Sequence, residues 1–270
     1  MIDPHELVVV LRAAARQAGA VALHLQGKVP VEHKSEGGIL ESTVVTAVDR
    51  ATQDVLLLRL HEAFPDAAID AEEDTETVGL FAEEEPGRDL IVIDPVDGTL
   101  AYTRGSDDWA VMGALIRGGA FVASLVHFPV HALTCWAVRG EGAWIARGAE
   151  EGRRIESLPR SPSELLIAPL VPCHRASRAR ELGLNPVRSR VSAVDSTAPA
   201  LGRARASIAG DRADRRRALG LLVTTEAGAA VRFGDHVWKG EDPELLPDSA
   251  APTIAADTPE LAEAILRTLG

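Results

Sequence analysis

Two aspartates, Asp94 and Asp97, stand three residues apart at the end of an apolar run over residues 90–93. A continuous apolar run of this length predicts a strand that is buried on both faces. Unpaired carboxylates at the end of such a strand are unfavourable unless they are protonated or bind a cation. Oxygen ligands without a nearby Cys or His pair favour Mg²⁺ or Mn²⁺ over Zn²⁺. The aspartate pair therefore predicts a site for a hard divalent cation.

The residues after the second aspartate have the properties of an anion seat. Gly98 allows the backbone to approach a ligand closely, and Thr99 begins a predicted short helix. The free N–H groups at such a helix start would face an anion. Taken by itself, the motif is also compatible with an Asp-Gly surface turn that binds nothing.

The elements that must position this turn follow from hydrophobic periodicity and from capping residues. The first half of the chain predicts helices over residues 4–26 and 46–64, with Asp49 capping the second helix, and two hairpins over residues 109–146. An acidic cluster, residues 71–74, follows a short predicted strand. In the second half we expect, among other elements, a strand over 188–195, a long helix over 211–229 and a last helix over 257–270.

Length and composition limit the classes of protein to which this chain can belong. The 270 residues carry a formal net charge of −12 and are 46% hydrophobic, which predicts a folded globular protein and disfavours nucleic acid or an anionic membrane as a partner. Residues 1–27 contain Arg12 and Arg16 and predict neither a signal peptide nor a membrane span, so we expect a cytoplasmic protein. The two cysteines leave one disulfide possible. A Pro- and Ser-rich stretch at 157–164 suggests two halves, 1–156 and 157–270.

Four stretches together resemble the inositol monophosphatase superfamily of Mg²⁺-dependent, lithium-sensitive phosphatases. They are the sequence DPVDGT at 94–99, AEE at 71–73, VTAVD at 45–49 and GLLVTTEAGA at 220–229. The resemblance covers about residues 5–235 and is stronger in the first half. It implies a layered α/β fold, an αβαβα sandwich, that assembles as a homodimer.

The resemblance also implies ligands for two metal ions, Mg²⁺ or alternatively Mn²⁺. Glu72, Asp94 and the carbonyl group of Val96 would hold the first ion. Asp94 and Asp97 would contact the second ion.

The same resemblance implies the residues of catalysis and phosphate binding. The backbone N–H groups of Gly98 and Thr99 would bind phosphate. The Thr99 hydroxyl, oriented by Asp49, would help to activate the attacking water, with Glu72 as a further catalytic carboxylate. Lys34 matches a lysine that lies near the metal ions and would bind phosphate.

The second motif of the family departs from its usual form in this chain. Counting back from Gly220 places Arg215 and Arg216 where the family has Trp-Asp, and that aspartate is a ligand of the second metal. Three interpretations remain open. Asp214 serves as the ligand after a shift in the helix start, with Asp211 a more distant candidate; or Arg216 replaces the second cation and clamps phosphate directly; or catalysis is lost.

These observations lead to two hypotheses about function. The first is a Mg²⁺-dependent phosphomonoesterase that hydrolyses a small phosphorylated polyol, sugar, histidinol or nucleotide. The second is a catalytically impaired homologue that binds a phosphorylated ligand or a protein partner.

Overall fold

The strand that ends in the two aspartates lies inside a seven-stranded sheet in a computed structural model of the chain. The structure describes all residues except 30, 34–43, 157, 159–161, 169–170, 172–177, 210–213, 247–250 and 270, and it describes only the backbone of 31–33, 44–46 and 269. Lys34 and Asp211, two of the predicted site residues, therefore lie outside the described residues.

The seven-stranded sheet uses its strands in chain order. Its first pair is parallel and every later pair is antiparallel, with the predicted hairpins present at 110–128 and 133–147. The strands are β3 (Ala68–Asp70), β4 (Leu90–Asp97), β5 (Ala110–Arg117), β6 (Ala120–Phe128), β7 (Leu133–Val138), β8 (Gly142–Arg147) and β9 (Arg153–Arg154). A separate two-stranded ribbon pairs β1 (Val31–His33) with β2 (Val44–Thr46).

A second, six-stranded mixed sheet is built from the later part of the chain, in the order β11-β10-β12-β15-β13-β14. Strand β10 pairs in parallel with both of its neighbours, and the remaining pairs are antiparallel. The strands are β10 (Glu164–Ile167), β11 (Asn185–Arg188), β12 (Ala206–Ala209), β13 (Ala230–Phe233), β14 (His236–Val237) and β15 (Thr253–Ala256).

Helices cover the outer faces of the two sheets and fill the space between them. The α-helices are α1 (Pro4–Leu25), α2 (Ala47–Ala63), α3 (Thr99–Thr103), α4 (Ser192–Leu201), α5 (Leu221–Glu226) and α6 (Pro259–Leu269). Helices α1 and α2 pack on the first sheet, α4 and α5 lie between the sheets, and α6 packs on the second sheet. Short 3₁₀ turns occur at Glu76–Leu80, Ala179–Leu182 and Pro243–Leu245. The predicted α/β class with layered helices and sheets is confirmed.

Helix α1 has the length and mean hydropathy of a membrane span. In the fold it is a core helix, because its apolar stripe packs on strands β5 and β6 of the first sheet. The fully buried residues of this stripe include Leu7, Ala14 and Ala18. Tertiary packing accounts for the apolar composition of the helix.

Two element predictions for the second half were wrong. The predicted strand over 188–195 ends at Arg188, and Ser192 begins a helix instead. The predicted long helix over 211–229 is reduced to α5, because residues 215–220 form turns. At the first position the carboxylate of Asp97 binds the backbone of Ser192 and Ala193, and at the second the side chains of Arg215 and Arg216 bind distant carboxylates, as described below.

Candidate active site

A bulge at the end of β4 determines where the two aspartates point. Asp94 pairs with Met112 and Asp97 pairs with Ala110, so β4 has one more residue than β5 between these two pairs. Residues three apart on a regular strand face opposite sides of the sheet, whereas the bulge brings both aspartates to one side. Met112 and Ala110 belong to the core between the two sheets, so the aspartates face that layer.

Asp94 is a buried carboxyl group surrounded by other acids. Its side chain is 7% exposed, and its Oδ1 accepts the N–H of Val96 at 3.1 Å. Burial raises the pKa of Asp94 well above its usual range, and the negative charges of Glu72 and Asp97 raise this pKa further. The nearby positive charge of Arg216 acts in the opposite direction. A positive ligand in this pocket would relieve the repulsion among the carboxylates.

Asp97 binds the backbone at the start of helix α4. Its Oδ1 accepts the N–H of Ser192 at 3.2 Å, and its Oδ2 accepts the N–H of Ala193 at 2.6 Å. Burial raises the pKa of Asp97 to about 6, although these two backbone hydrogen bonds favour the charged form. The carboxylate therefore caps a helix that begins about a hundred residues later in the chain, and this cap explains why a helix replaces the predicted strand.

Gly98 and Thr99 form the turn after β4. Gly98 has φ +85° and ψ +39°, a left-handed conformation that favours glycine. The Thr99 hydroxyl lies 3.1 Å from Oδ1 of Asp49 and 3.1 Å from the carbonyl oxygen of Val96. Asp49 is 2% exposed and lies inside the first turn of α2, so the prediction that it caps this helix was wrong. Its carboxylate is directed to the threonine instead.

The acidic cluster 71–74 is attached to helix α2 through Gln53, a residue that the sequence analysis missed. The side-chain amide of Gln53 is fully buried and accepts the N–H of Glu73 at 2.8 Å. The same amide donates to the carbonyl oxygen of Glu73 at 2.5 Å. Glu72, the adjacent residue, is exposed and close enough to Asp94 for its charge to raise the pKa of that carboxyl. Gln53 follows Asp49 by four residues, so both side chains lie on one face of α2. This spacing was the sequence signal that could have identified Gln53 as part of the site.

Asp70 links the arginines of the second half to the first sheet. It is the last residue of β3 and pairs with Val92, two residues before Asp94. Nη1 of Arg216 donates to Oδ1 of Asp70 at 2.7 Å. Asp70 is a second residue that the sequence analysis missed, and no local pattern distinguishes it.

The neighbours of Arg216 in the chain, Arg215 and Asp214, bind side chains and backbone outside the cluster of Glu72, Asp94 and Asp97. Arg215 donates to the buried carboxylate of Asp242 at 2.7 Å and to both oxygens of Glu84 at 3.0 and 3.1 Å. Asp214, which was predicted as a metal ligand, accepts the N–H of Arg217 at 2.8 Å. Its described hydrogen bond and ion pair are both with Arg217, and its role as a ligand stays a prediction.

The donor groups suit one hard cation in their chemistry, although they are not preassembled around one. Within the described ranges, no group of three or more His, Cys, Asp or Glu side chains is arranged as a ready shell for a metal ion. The carboxylates of Glu72 and Asp94 are nevertheless all-oxygen donors in a pocket with an excess of negative charge, as Mg²⁺ requires. The charge of the pocket therefore fits a cation, and binding would draw the acids together.

Comparison of the sequence with known proteins shows which family the chain resembles over most of its length. The profile of the inositol monophosphatase family matches residues 3–268. A fructose-1,6-bisphosphatase/inositol-1-monophosphatase of Thermotoga maritima is 31% identical over 129 residues, which are 48% of this chain and 46% of the relative. A putative Nus factor SuhB of Neisseria meningitidis is 31% identical over 144 residues, 53% of this chain and 52% of the relative. The chain thus spans about half the length of these curated relatives.

The fold extends the similarity to nearly the whole chain. An inositol monophosphatase (IMPase) structure from Thermotoga maritima superimposes with a TM-score of 0.77 at 22% sequence identity. The match covers 98% of this chain and 96% of that structure. At this identity the likeness concerns the fold.

Proposed function

Because this chain belongs to the inositol monophosphatase family, we propose that it is a Mg²⁺-dependent phosphomonoesterase acting on a small phosphorylated polyol, sugar, histidinol or nucleotide. The observation that carries the proposal is the Thr99–Asp49 hydrogen bond beside the buried acid Asp94. A hydroxyl paired with a carboxylate next to a cation-binding pocket is an arrangement suited to activating water.

In the proposed reaction, Glu72, Asp94 and the carbonyl oxygen of Val96 would hold the cation. A divalent cation at that position supplies Lewis-acid polarisation and neutralises the charge of the phosphoryl group. Phosphoryl transfer depends mainly on such positioning and charge neutralisation. The backbone N–H groups of Gly98 and Thr99 would bind the phosphate oxygens, as the resemblance implies.

Thr99 and Asp49 would handle the proton of the attacking water. The threonine hydroxyl has one hydrogen, so at any moment it donates either to Asp49 or to the carbonyl of Val96, both at 3.1 Å. The lone pairs of the same oxygen then accept a hydrogen bond from water. Proton transfer from water to Thr99 and from Thr99 to Asp49 would leave a nucleophile beside the phosphorus atom.

The proposal is tested by measuring orthophosphate release from a panel of sugar, polyol, histidinol and nucleotide monophosphates with Mg²⁺ and with Mn²⁺. We expect cation-dependent release that Asp94→Asn abolishes and that Thr99→Ala lowers by about 10²-fold or more. Asp66→Asn, a change at an exposed acid, is the matched control and should keep full activity. Absence of release across the panel from folded protein would contradict the enzymatic proposal.

A specific observation also favours the second candidate, a homologue that binds a phosphorylated ligand without turnover. Arg216 brings a positive charge to the pocket, and Asp97 is hydrogen-bonded to helix α4. In this case the same panel would raise the midpoint of thermal unfolding without releasing phosphate. A homodimer is part of either proposal, and light scattering on the purified protein measures it directly.

A further inference from the structure

The guanidinium group of Arg216 lies at the carboxyl-terminal end of strand β3, close to the acids of the candidate site. Its bond to Asp70 puts it beside the end of β3. Strand β3 is parallel to β4, and Asp70 is level with Val92, two residues before Asp94 in β4. The electrostatic effect of Arg216 on Asp94 agrees with this location. A positive charge from the second half of the chain therefore lies beside the acids of the site.

The backbone that carries Arg216 is anchored on its other side. Arg215 is 14% exposed and binds Asp242, itself 1% exposed, as well as Glu84. The turn is thus tied to the two segments that carry Glu84 and Asp242, independently of any contact that Arg216 makes. The Arg216 side chain itself is 37% exposed, so a ligand from solvent can still reach it. An anchored but accessible arginine is prepared to bind an anion, because little side-chain freedom remains to be lost.

The carboxylate of Asp97, the other predicted ligand of a second ion, is bound to the start of helix α4. Both of its carboxylate oxygens accept hydrogen bonds from the first N–H groups of helix α4, at 3.2 and 2.6 Å. A helix N-terminus carries partial positive charge, so it stabilises the negative charge of this carboxylate in part, as a bound cation would. Two features thus replace what a second divalent ion would provide: one positive side chain and one helix terminus.

We propose that the guanidinium of Arg216 is a built-in cation of this pocket, so that the chain binds one divalent ion with its phosphorylated ligand. The family motif has an aspartate ligand for a second ion at this position. The inference rests on the proposed function. Arg216 contacts a phosphate oxygen through its N–H fork, while the divalent ion is held by Glu72 and Asp94. A second divalent ion is excluded, because it would lie beside a permanent positive charge.

The number of bound ions tests this proposal directly. Isothermal titration of the full chain with Mn²⁺, at saturating orthophosphate, should give one ion per chain. Arg216→Asp introduces the carboxylate that the family motif has at this position, and it should bind two ions. Arg217→Asp makes the same change of charge one residue further along the chain, at an exposed side chain, and should stay at one ion.

A second measurement keeps the test independent of turnover. Because arginine is always charged, orthophosphate should raise the midpoint of thermal unfolding of the unaltered chain even in EDTA. Arg216→Gln should weaken this orthophosphate binding by about tenfold or more. Arg216→Lys keeps the positive charge but loses the two parallel N–H donors. Its affinity for orthophosphate should therefore lie between that of the unaltered chain and that of Arg216→Gln.

The outcomes separate this inference from the proposed function. Two Mn²⁺ ions bound to the unaltered chain, with phosphatase activity present, would overturn the inference and leave the function standing. A second ion gained equally by Arg217→Asp would also overturn it, since two ions would then bind while Arg216 is still present. No bound ion and no phosphate release would overturn both.

Discussion

Asp195 is a buried acid whose titration should make the stability of the protein depend on pH. It lies in helix α4, its side chain is 6% exposed, and within the described part of the chain its Oδ1 has no hydrogen-bond partner. Burial raises the pKa of Asp195 from 3.8 to about 7. A hydrogen bond from Ser189 lowers this pKa, and the charge of Asp97 raises it. The folded protein therefore keeps this proton at a pH where the unfolded chain has lost it.

The sign and size of the effect follow from linkage. With a raised pKa, the stabilisation by the bound proton is complete below about pH 4 and is lost as the pH rises through about 7. The full loss in the free energy of unfolding is about 4 kcal/mol, of which about 3 kcal/mol falls between pH 5 and pH 8. Asp195→Asn removes the titrating group, so this part of the pH dependence should disappear.

The assay is urea unfolding of the unaltered chain and of Asp195→Asn, at pH values from 5 to 8 in metal-free buffer containing EDTA. The asparagine amide changes local hydrogen bonding by an amount that does not depend on pH. The informative quantity is therefore the difference in free energy of unfolding between the two proteins, measured as a function of pH. From pH 5 to pH 8, we expect the free energy of unfolding of the variant to rise by about 3 kcal/mol relative to that of the unaltered chain.

A second buried acid also titrates between pH 5 and pH 8, and an exposed acid provides the control variant. Asp97, with its pKa raised to about 6, should leave a residual pH dependence in the variant. Glu263→Gln removes an exposed acid that pairs with Arg267 and should not alter the pH dependence. A difference between Asp195→Asn and the unaltered chain that stays constant from pH 5 to pH 8 would refute the reasoning.

Two further predictions concern the supports of the site. Gln53→Ala removes two buried hydrogen bonds to the backbone of Glu73, so urea unfolding should show a loss of about 2–4 kcal/mol, and the affinity for Mg²⁺ should fall. Gly98→Ala places a Cβ 2.9 Å from the Val191 side chain at φ +85°, and thermal unfolding should show a loss of about 1–3 kcal/mol. Gly87 has the same φ in open space, so a smaller loss for Gly87→Ala would isolate the crowding, and equal losses would contradict it.

Sequence periodicity was sufficient for elements whose environment is simple. Helices α1 and α2 were predicted to within about one residue and the start of strand β4 was predicted correctly, because each has a clear apolar pattern and a local start or stop signal. The hairpins of the first sheet were predicted from their glycine turns for the same reason. These signals act between residues that are close in the chain, so they can be read without the fold.

The second half was predicted less well, because distant charges determine its elements. Helix α4 begins where Asp97 caps it, and the turns before α5 form where Arg215 and Arg216 bind Asp242 and Asp70. Nothing in the local sequence of either segment identifies these partners. Local patterns favoured a strand and a long helix there, and tertiary contacts overrode them.

The same division applies to the site. From the sequence alone, DPVDGT established that acidic side chains stand at the end of a buried strand and precede a glycine turn, because residue types and spacing determine that much. The tertiary structure decided that a bulge turns both aspartates toward one layer, that one of them caps a distant helix, and that Arg216 binds Asp70 nearby. Those outcomes depend on strand register and on long-range contacts, which form only when the whole chain folds.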